Sequence, residues 1–207
     1  MIEEHLVDPS LSLFNQLFAA ATRSASSAMS RWTSGEIMLT LDEVRDIPLE
    51  EVVGELDMGF DLLTMVVLTL EGDLSGQLIL TFDEENGRRM AASLLNRDVN
   101  TDPQWSALEQ SALCETGNIL GCAYINVFTD LLDQELVPSP PMFIQDYGAS
   151  VLEQSIMSQA VTSERVIICR TRFSREGQEL DWNVFFVPSQ TLLERLERAI
   201  ESSNENN

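Results

Sequence analysis

The chain has 207 residues, of which 34 are acidic and 12 are basic, and its formal net charge is −22. Such a surface repels nucleic acid and anionic membrane, because binding to either depends on neutralising phosphates with cations. Hydrophobic residues make up 44% of the sequence, which indicates a folded protein with a substantial core. The excess of acidic residues is explained by a role in solubility, by adaptation to a saline environment, or by binding to partners that have basic surfaces.

The composition also argues against most common catalytic machinery. All 12 basic residues are arginines, so neither Schiff-base chemistry nor a P-loop mechanism is available. His5 is the single histidine, which argues against a His-based zinc site, a Ser-His-Asp triad and a Cys-His pair. The three cysteines are better explained as small thiols in a reducing cytoplasm than as disulfides or metal ligands. They are Cys114, Cys122 and Cys169.

The sequence does not predict a membrane-spanning helix or a secretion signal. No apolar run approaches the roughly 20 residues that a membrane-spanning helix needs. The N-terminal sequence is acidic and does not have the charge pattern of a secretion signal. We therefore expect a cytoplasmic protein that binds neither membrane nor nucleic acid.

The first half of the chain predicts helix, strand, short acidic helix, hairpin and helix. β-Branched and apolar runs flank a Gly-Asp turn in the hairpin, and Asp83 is placed to cap the helix that follows. In chain order these elements are predicted over residues 11–32, 35–44, 49–56, 62–82 and 83–95.

The second half begins after a polar stretch at residues 94–105. Asp102 and Pro103 suit the N-cap and first position of a long helix that ends near Leu132. The following elements are an extended piece, a short apolar segment, a second hairpin and a closing helix. They are predicted over residues 137–147, 149–161, 165–187 and 189–200.

The same order of elements in both halves predicts the fold class. Strands with period-2 patterns need a face to cover, and amphipathic helices supply it. We expect one α+β domain over residues 1–200, with half-repeats at about 11–100 and 101–200 related by a pseudo-two-fold axis. An antiparallel-rich sheet would pack against two long helices. Residues 201–207 are polar and are expected to form a disordered tail.

A polar stripe follows the long helix of the second half. Ser111, Glu115 and Asn118 stand at positions i, i+4 and i+7, so they share an arc of roughly 60° at about 100° per residue. The leucines of this helix cluster on the opposite side, so the stripe is expected to face outward. An ordinary solvated face gives the same pattern.

Two glycines near this stripe are unusual for the middle of a helix. Gly117 and Gly121 each cost up to about 1 kcal/mol relative to alanine, and no cap requires them there. Because glycine allows close approach to the backbone, they suggest that a second backbone or a bound partner contacts this helix.

The stripe resembles the motif of the CheC/CheX/FliY family of chemotaxis phosphatases. That motif is Asp or Ser, three residues, Glu, two residues, Asn, then 22 residues and a Pro. Here Ser111, Glu115 and Asn118 are followed at the same spacing by Pro141. The resemblance extends over roughly residues 11–200, and its two motif-bearing helices without a further switch domain are most similar to CheC-type members.

The first half departs from the family pattern. The equivalent positions lie 99 residues earlier, at Ser12, Gln16, Ala19 and Asp42. Family members with two working sites have Glu and Asn in both helices. Gln cannot take a cation as Glu does, and Ala offers no polar group. We therefore predict a degenerate first site and one active site per chain.

The resemblance implies a substrate and a role for each motif residue. The substrate would be the phospho-aspartate of a CheY-type response regulator, which brings its own Mg²⁺ and lysine, so the chain needs no cofactor or metal. A carboxamide can donate to and accept from one water, which makes Asn118 the candidate for aligning it. Glu115 would accept a hydrogen bond from the regulator's lysine. Ser111 would shape the contact, and Pro141 would fix a turn that buttresses the helix.

Alternatives to this interpretation remain. A non-enzymatic adapter could bind phospho-CheY or CheD, although the intact second motif argues against it. The resemblance also implies the deamidase CheD as a second partner, through residues 147–159, for which a plain packing helix is the alternative. A carboxylate metal enzyme is more distant, because the acidic run at residues 42–51 lacks metal-ligand spacing.

Overall fold

The structure is a computed structural model that describes residues 9–33, 37–48, 51, 62–147, 150, 165–175 and 178–205. Two of the predicted elements, at residues 49–56 and 149–161, lie outside these ranges apart from single residues. The described elements in chain order are α1 (Pro9–Trp32), β1 (Met38–Pro48), β2 (Leu62–Leu70), β3 (Gly76–Asp83), α2 (Glu84–Leu95), α3 (Ala107–Leu132), β4 (Met142–Tyr147), β5 (Arg165–Arg175), β6 (Gln178–Pro188) and α4 (Gln190–Glu205).

The described strands form one antiparallel sheet in the order β1-β5-β6-β3-β2-β4. The strands of the two halves correspond as β1 to β4, β2 to β5 and β3 to β6. When each strand is replaced by its counterpart, the order becomes β4-β2-β3-β6-β5-β1, which is the observed order read from the opposite edge. The predicted α+β fold, with an internal pseudo-two-fold repeat and an antiparallel sheet, is therefore confirmed.

The sheet separates two apolar clusters. All four described helices contribute to the larger cluster, where the ring of Phe18 on α1 lies 5.5 Å from Phe128 on α3 and 6.0 Å from Phe186 on β6. Alternate strand residues, including Met65 and Phe185, form the smaller cluster on the opposite face. No helix in the described part of the chain has the length and apolar character to cross a membrane.

The long helices of the two halves are joined by a buried polar contact as well as by aromatic rings. The hydroxyls of Thr22 on α1 and Tyr124 on α3 form a hydrogen bond of 2.7 Å. The Tyr124 ring also lies 5.9 Å from that of Phe18. Because buried hydroxyls need a partner, this bond fixes how α1 and α3 meet.

Helix α3 packs closely on strand β2, with glycines at two of the positions where the two elements meet. A Cβ atom on Gly117 would lie 2.4 Å from Cγ1 of Val66, and one on Gly121 would lie 2.7 Å from Cδ2 of Leu68. Both glycines are buried. The expectation of a bound partner at these glycines is therefore wrong, whereas a second segment of the chain, strand β2, does approach the helix here. The glycines admit side chains of β2, on the inner face of the helix.

Helix α3 also begins four residues later than predicted. Its N-cap is Ser106, not Asp102, and the first helical residue is Ala107. Ser106 Oγ accepts from the N–H of Glu109 at 3.3 Å, while the Glu109 carboxylate accepts from the N–H of Ser106 at 2.9 Å. This reciprocal box satisfies two free N–H groups, whereas Asp102 accepts from Gln104 in a turn before the helix.

Two other boundaries extend beyond the prediction. Strand β1 ends at Pro48 rather than residue 44. Helix α4 continues to Glu205, so residues 201–205 of the predicted disordered tail are helical. Hydroxyls of Ser202 and Ser203 donate to the carbonyls of Arg198 and Ala199, each at 2.9 Å, and this bonding suits a polar final turn.

Replacing Gly117 with alanine is expected to destabilise the protein, although alanine is the better helix former. The propensity gain is up to about 1 kcal/mol, whereas forcing a methyl group into Val66 costs about 1–3 kcal/mol. Thermal unfolding should show a lower midpoint for Gly117→Ala and no comparable loss for Asn126→Ala at an exposed position of α3.

A double-mutant cycle gives the control for this packing. Val66→Ala removes the side chain that the new methyl group meets, so it should cost less in the Gly117→Ala background than in the parent. Additive effects, or a Gly117→Ala variant as stable as the parent, would contradict direct packing of α3 on β2.

Candidate functional site

An open groove of about 460 Å³ lies between the outer face of α3 and the segment that leads into β4. Ser111, Glu115 and Asn118 line one wall, and residues 138–141 line the other. Ser111 and Glu115 are exposed, while Asn118 and Pro141 are half-buried. The structure therefore brings the four predicted motif residues of the second half together in one groove.

Strand β2 holds the proline wall through Ser139. The N–H of Ser139 donates to the carbonyl of Thr69 at 2.7 Å, and the N–H of Thr69 donates to Oγ of Ser139 at 3.0 Å. Pro138 forms a β-bridge with Leu70 beside this contact. Since β2 also lies under α3, one strand positions both walls of the groove.

Cys114 connects α3 to the start of β4, next to the proline wall. Cys114 lines the groove and is half-buried. Its thiol has a hydrogen bond with the backbone of Phe143 on β4. Burial raises the pKa of its thiol above the ordinary value. The Phe143 ring also meets Trp105 edge-on, with ring centroids 5.4 Å apart, so the start of β4 is fixed against the start of α3.

The carboxamide of Asn118 contacts a thiol one helical turn away. Sγ of Cys122 donates to Oδ1 of Asn118 at 3.6 Å. Burial, and then the carboxylate of Glu115, raise the pKa of Cys122 above its ordinary value. The thiol is therefore protonated at neutral pH and is available as a hydrogen-bond donor.

A buried ion pair holds the first turn of α3, and sequence analysis missed it. Nη1 of Arg88 on α2 lies 3.4 Å from Oε1 of Glu109, and both side chains are almost fully buried. The Arg88 guanidinium stacks 4.1 Å above the Trp105 ring. Asn100 donates to the other carboxylate oxygen at 3.0 Å. The Ser-x-x-Glu spacing of the capping box was the one available signal.

The environment of Glu109 favours its charged form. Burial acts to raise its pKa, but hydrogen bonds from Ser106 and Asn100 and the charge of Arg88 outweigh burial. The pKa of Glu109 therefore lies below its ordinary value of 4.5. The helix that carries the stripe is anchored by a charged, fully hydrogen-bonded carboxylate.

The equivalent positions of the first half carry residues that differ in chemical character from those of the stripe. On α1, Gln16 is exposed and Ala19 is half-buried, and Ser12 lies in the same helix. Asp42 lies within β1 at a register shift, and its Oδ2 accepts from Nη2 of Arg172 at 2.8 Å. Pro141, by contrast, precedes β4. Where the second half has a proline wall, the first half has an ion pair between strands.

Among the residues that the structure describes, no group of three or more His, Cys, Asp or Glu side chains is arranged to hold a metal ion.

Comparison with known proteins gives relatives along most of the chain. No protein-family model matches the sequence. The CheY-P phosphatase CheC of Bacillus subtilis is 26% identical over 184 residues, which span 86% of this chain and 88% of the relative. The crystal structure of Thermotoga maritima FliY has a TM-score of 0.71 at 16% identity, covering 95% of this chain and 98% of that chain.

A third comparison concerns a chain in the crystal structure of the CheX–CheY–BeF₃–Mg²⁺ complex from Borrelia burgdorferi. Its TM-score is 0.50 at 21% identity, covering 82% of this chain and 97% of that chain. These relatives confirm the resemblance to the CheC/CheX/FliY family and the fold that it implies.

Glu109→Gln is expected to destabilise the protein in a pH-dependent way. A lowered folded-state pKa means that the carboxylate contributes stability above pH 4.5, which is lost as the pH falls through the folded-state pKa. Urea unfolding at neutral pH should show a free energy of unfolding lower by roughly 1–3 kcal/mol, because Arg88 loses a buried charged partner.

The control is Glu85→Gln, which removes the charge of a side chain that is 81% exposed and paired with Arg89. That variant should change the free energy of unfolding by less than about 1 kcal/mol. The Glu109→Gln deficit should shrink in acid, where the parent carboxylate is protonated. Equal losses in the two variants, or a deficit that persists in acid, would argue against the buried pair as an anchor.

Proposed function

We propose that this chain, a relative of the CheC/CheX/FliY family, hydrolyses the phospho-aspartate of a CheY-type response regulator at a single site on α3. The groove that unites Ser111, Glu115, Asn118 and Pro141 is the observation that carries the proposal. The name of the Bacillus subtilis relative, a CheY-P phosphatase, supports it. So does the likeness of the fold to a chain crystallised in a CheX–CheY complex.

The proposed reaction is in-line attack of water on phosphorus. A bond forms between the water oxygen and phosphorus, the bond from phosphorus to the aspartate oxygen breaks, and the aspartate leaves as a carboxylate. The water proton goes to the released phosphate. The regulator's Mg²⁺ and lysine neutralise the phosphoryl oxygens and belong to the substrate, so the chain supplies no metal or cofactor. What it supplies is the position of the water.

Asn118 is suited to orient that water. Its Nδ2 can donate while Oδ1, which has two lone pairs, accepts from the water as well as from Cys122. The residue is half-buried and lines the groove, so its carboxamide faces the space that a phosphorylated aspartate would enter. Asn118 is therefore the proposed catalytic residue.

Glu115 is suited to bind the cation that accompanies the substrate. It is exposed on the same wall, one helical turn before Asn118. A carboxylate accepts strong charge-assisted hydrogen bonds from an ammonium group, which fits the lysine of a regulator. Ser111 and Pro141 would then shape the two ends of the contact, since neither needs to take part in the chemistry.

The proposal assigns one site to each chain. Ala19 cannot orient water, and Gln16 is not a carboxylate that could bind a lysine. The side chain of Asp42 is engaged by Arg172 across β1 and β5. We expect the face of α1 to contribute nothing to hydrolysis.

The alternative is an adapter that binds a phosphorylated regulator or CheD without turnover. The replaced residues of the first half are the observation that favours it. The segment at residues 147–159, through which CheD would bind, lies outside the described residues apart from residues 147 and 150. CheD binding stays a prediction from the resemblance.

Asn118→Ala is expected to lower the rate of hydrolysis by about 100-fold, because a misplaced reacting group costs on that order. The measurement is the decay of a phosphorylated CheY-type regulator in the presence of catalytic amounts of the chain. Asn126→Ala, an exposed asparagine eight residues further along α3 and outside the groove, is the matched control and should retain full activity.

Two results would count against this proposal. An Asn118→Ala variant as fast as the parent would remove the assigned role of the carboxamide. A parent that binds the phosphorylated regulator without accelerating its decay would favour the adapter.

A further inference from the structure

We propose that Cys122 is a positioning residue whose thiol fixes the orientation of the Asn118 carboxamide in the groove. This inference rests on the function proposed above and adds a residue to the four motif positions. Cys122 touches neither the groove nor the proposed substrate, so it acts through Asn118 alone.

The carboxamide of an asparagine has a broad, roughly two-fold torsion at its end, so its oxygen and nitrogen exchange places easily. The two arrangements place the donor and the acceptor of the carboxamide in exchanged positions relative to a bound water. A neighbouring donor selects between them, because it stabilises the arrangement in which it meets the oxygen. Sγ of Cys122 lies 3.6 Å from Oδ1 of Asn118 and supplies that donor.

A cysteine thiol is protonated at neutral pH, and the surroundings of Cys122 favour this donating form further. Cys122 is half-buried on α3, one turn beyond Asn118. Burial and the nearby carboxylate of Glu115 both disfavour the thiolate and raise the pKa of Cys122. A thiolate could only accept, and it would attract Nδ2 in place of Oδ1.

The two halves of the chain offer an internal comparison. The positions equivalent to Asn118 and Cys122 in the first half are Ala19 and Arg23. Arg23 is exposed, whereas Cys122 is half-buried. The half that lacks the carboxamide also lacks the thiol that would orient it. This joint absence is what a functional pair of Asn118 and Cys122 would leave in the degenerate half.

The expected effect of losing the thiol is a lower kcat with an unchanged KM. Oriented water matters in the transition state, and the contacts that bind the regulator lie elsewhere in the groove. A single neutral hydrogen bond corresponds to about a threefold to tenfold change in rate. Cys122→Ala should show this loss, and Cys122→Ser, which keeps a donor, should recover most of it.

A double-mutant cycle separates positioning from a structural role. In the Asn118→Ala background, Cys122→Ala should cause no further loss of kcat, because the carboxamide that it orients is gone. Thermal unfolding should show that Cys122→Ala folds as the parent does. Additive losses, or a Cys122→Ser variant no better than Cys122→Ala, would overturn the inference.

A readout without turnover distinguishes failure of this inference from failure of the proposed function. In ¹⁵N-labelled protein, the two Nδ2 protons of Asn118 report the environment and exchange of the carboxamide. Cys122→Ala should shift these resonances and bring them closer to those of an asparagine whose χ2 torsion is unrestrained. Cys122→Ser should not.

The outcomes then separate. Unchanged Asn118 amide resonances in Cys122→Ala would overturn the positioning role, whether or not the parent is a phosphatase. A parent that is inactive while the resonances respond as expected would overturn the proposed function and leave the Cys122–Asn118 contact in place. An active parent whose kcat does not depend on Cys122 would overturn the inference and leave the proposed function intact.

Discussion

The site depends on one constraint, the direct contact between helix α3 and strand β2. Gly117 and Gly121 have no side chains, so Val66 and Leu68 of β2 fill the space beneath the helix. The same strand hydrogen-bonds the proline segment through Thr69. The positions of both walls are therefore set by contacts with a single strand, which is buried along nearly its whole length. An interior strand of the sheet, between β3 and β4, thus positions both walls of the groove.

The contacts around this strand explain how a site made of surface side chains can have a defined geometry. Exposed side chains are mobile, and water orientation needs positions accurate to about 1 Å. Arg88 and Glu109 anchor the start of α3, and Tyr124 joins its middle to Thr22 of α1. Cys114 and Phe143 connect the helix to β4. Rigidity comes from buried neighbours of the stripe rather than from the stripe itself.

Sequence patterns predicted the repeat, the hairpins and the motif that meets in the groove, because period and spacing are local properties. They misplaced the start of α3, since Asp102 and Ser106 are both competent caps and the choice depends on the reciprocal bond to Glu109. They indicated a close approach at Gly117 but not by which element, because a helical wheel does not show that strand β2 lies on that side of the helix. Arg88 was missed because its partner on α3 lies 21 residues away along the chain. Tertiary contacts decided each of these cases.

The central claim is that hydrolysis belongs to the second half of the chain alone. The most direct measurement compares decay of a phosphorylated CheY-type regulator with catalytic amounts of two variants, one altered in each half. Substituting Glu115 and Asn118 together by alanine should abolish the acceleration, while Gln16→Ala on α1 should leave it unchanged. Acceleration that survives the α3 substitutions, or that depends on Gln16, would contradict a single site on α3.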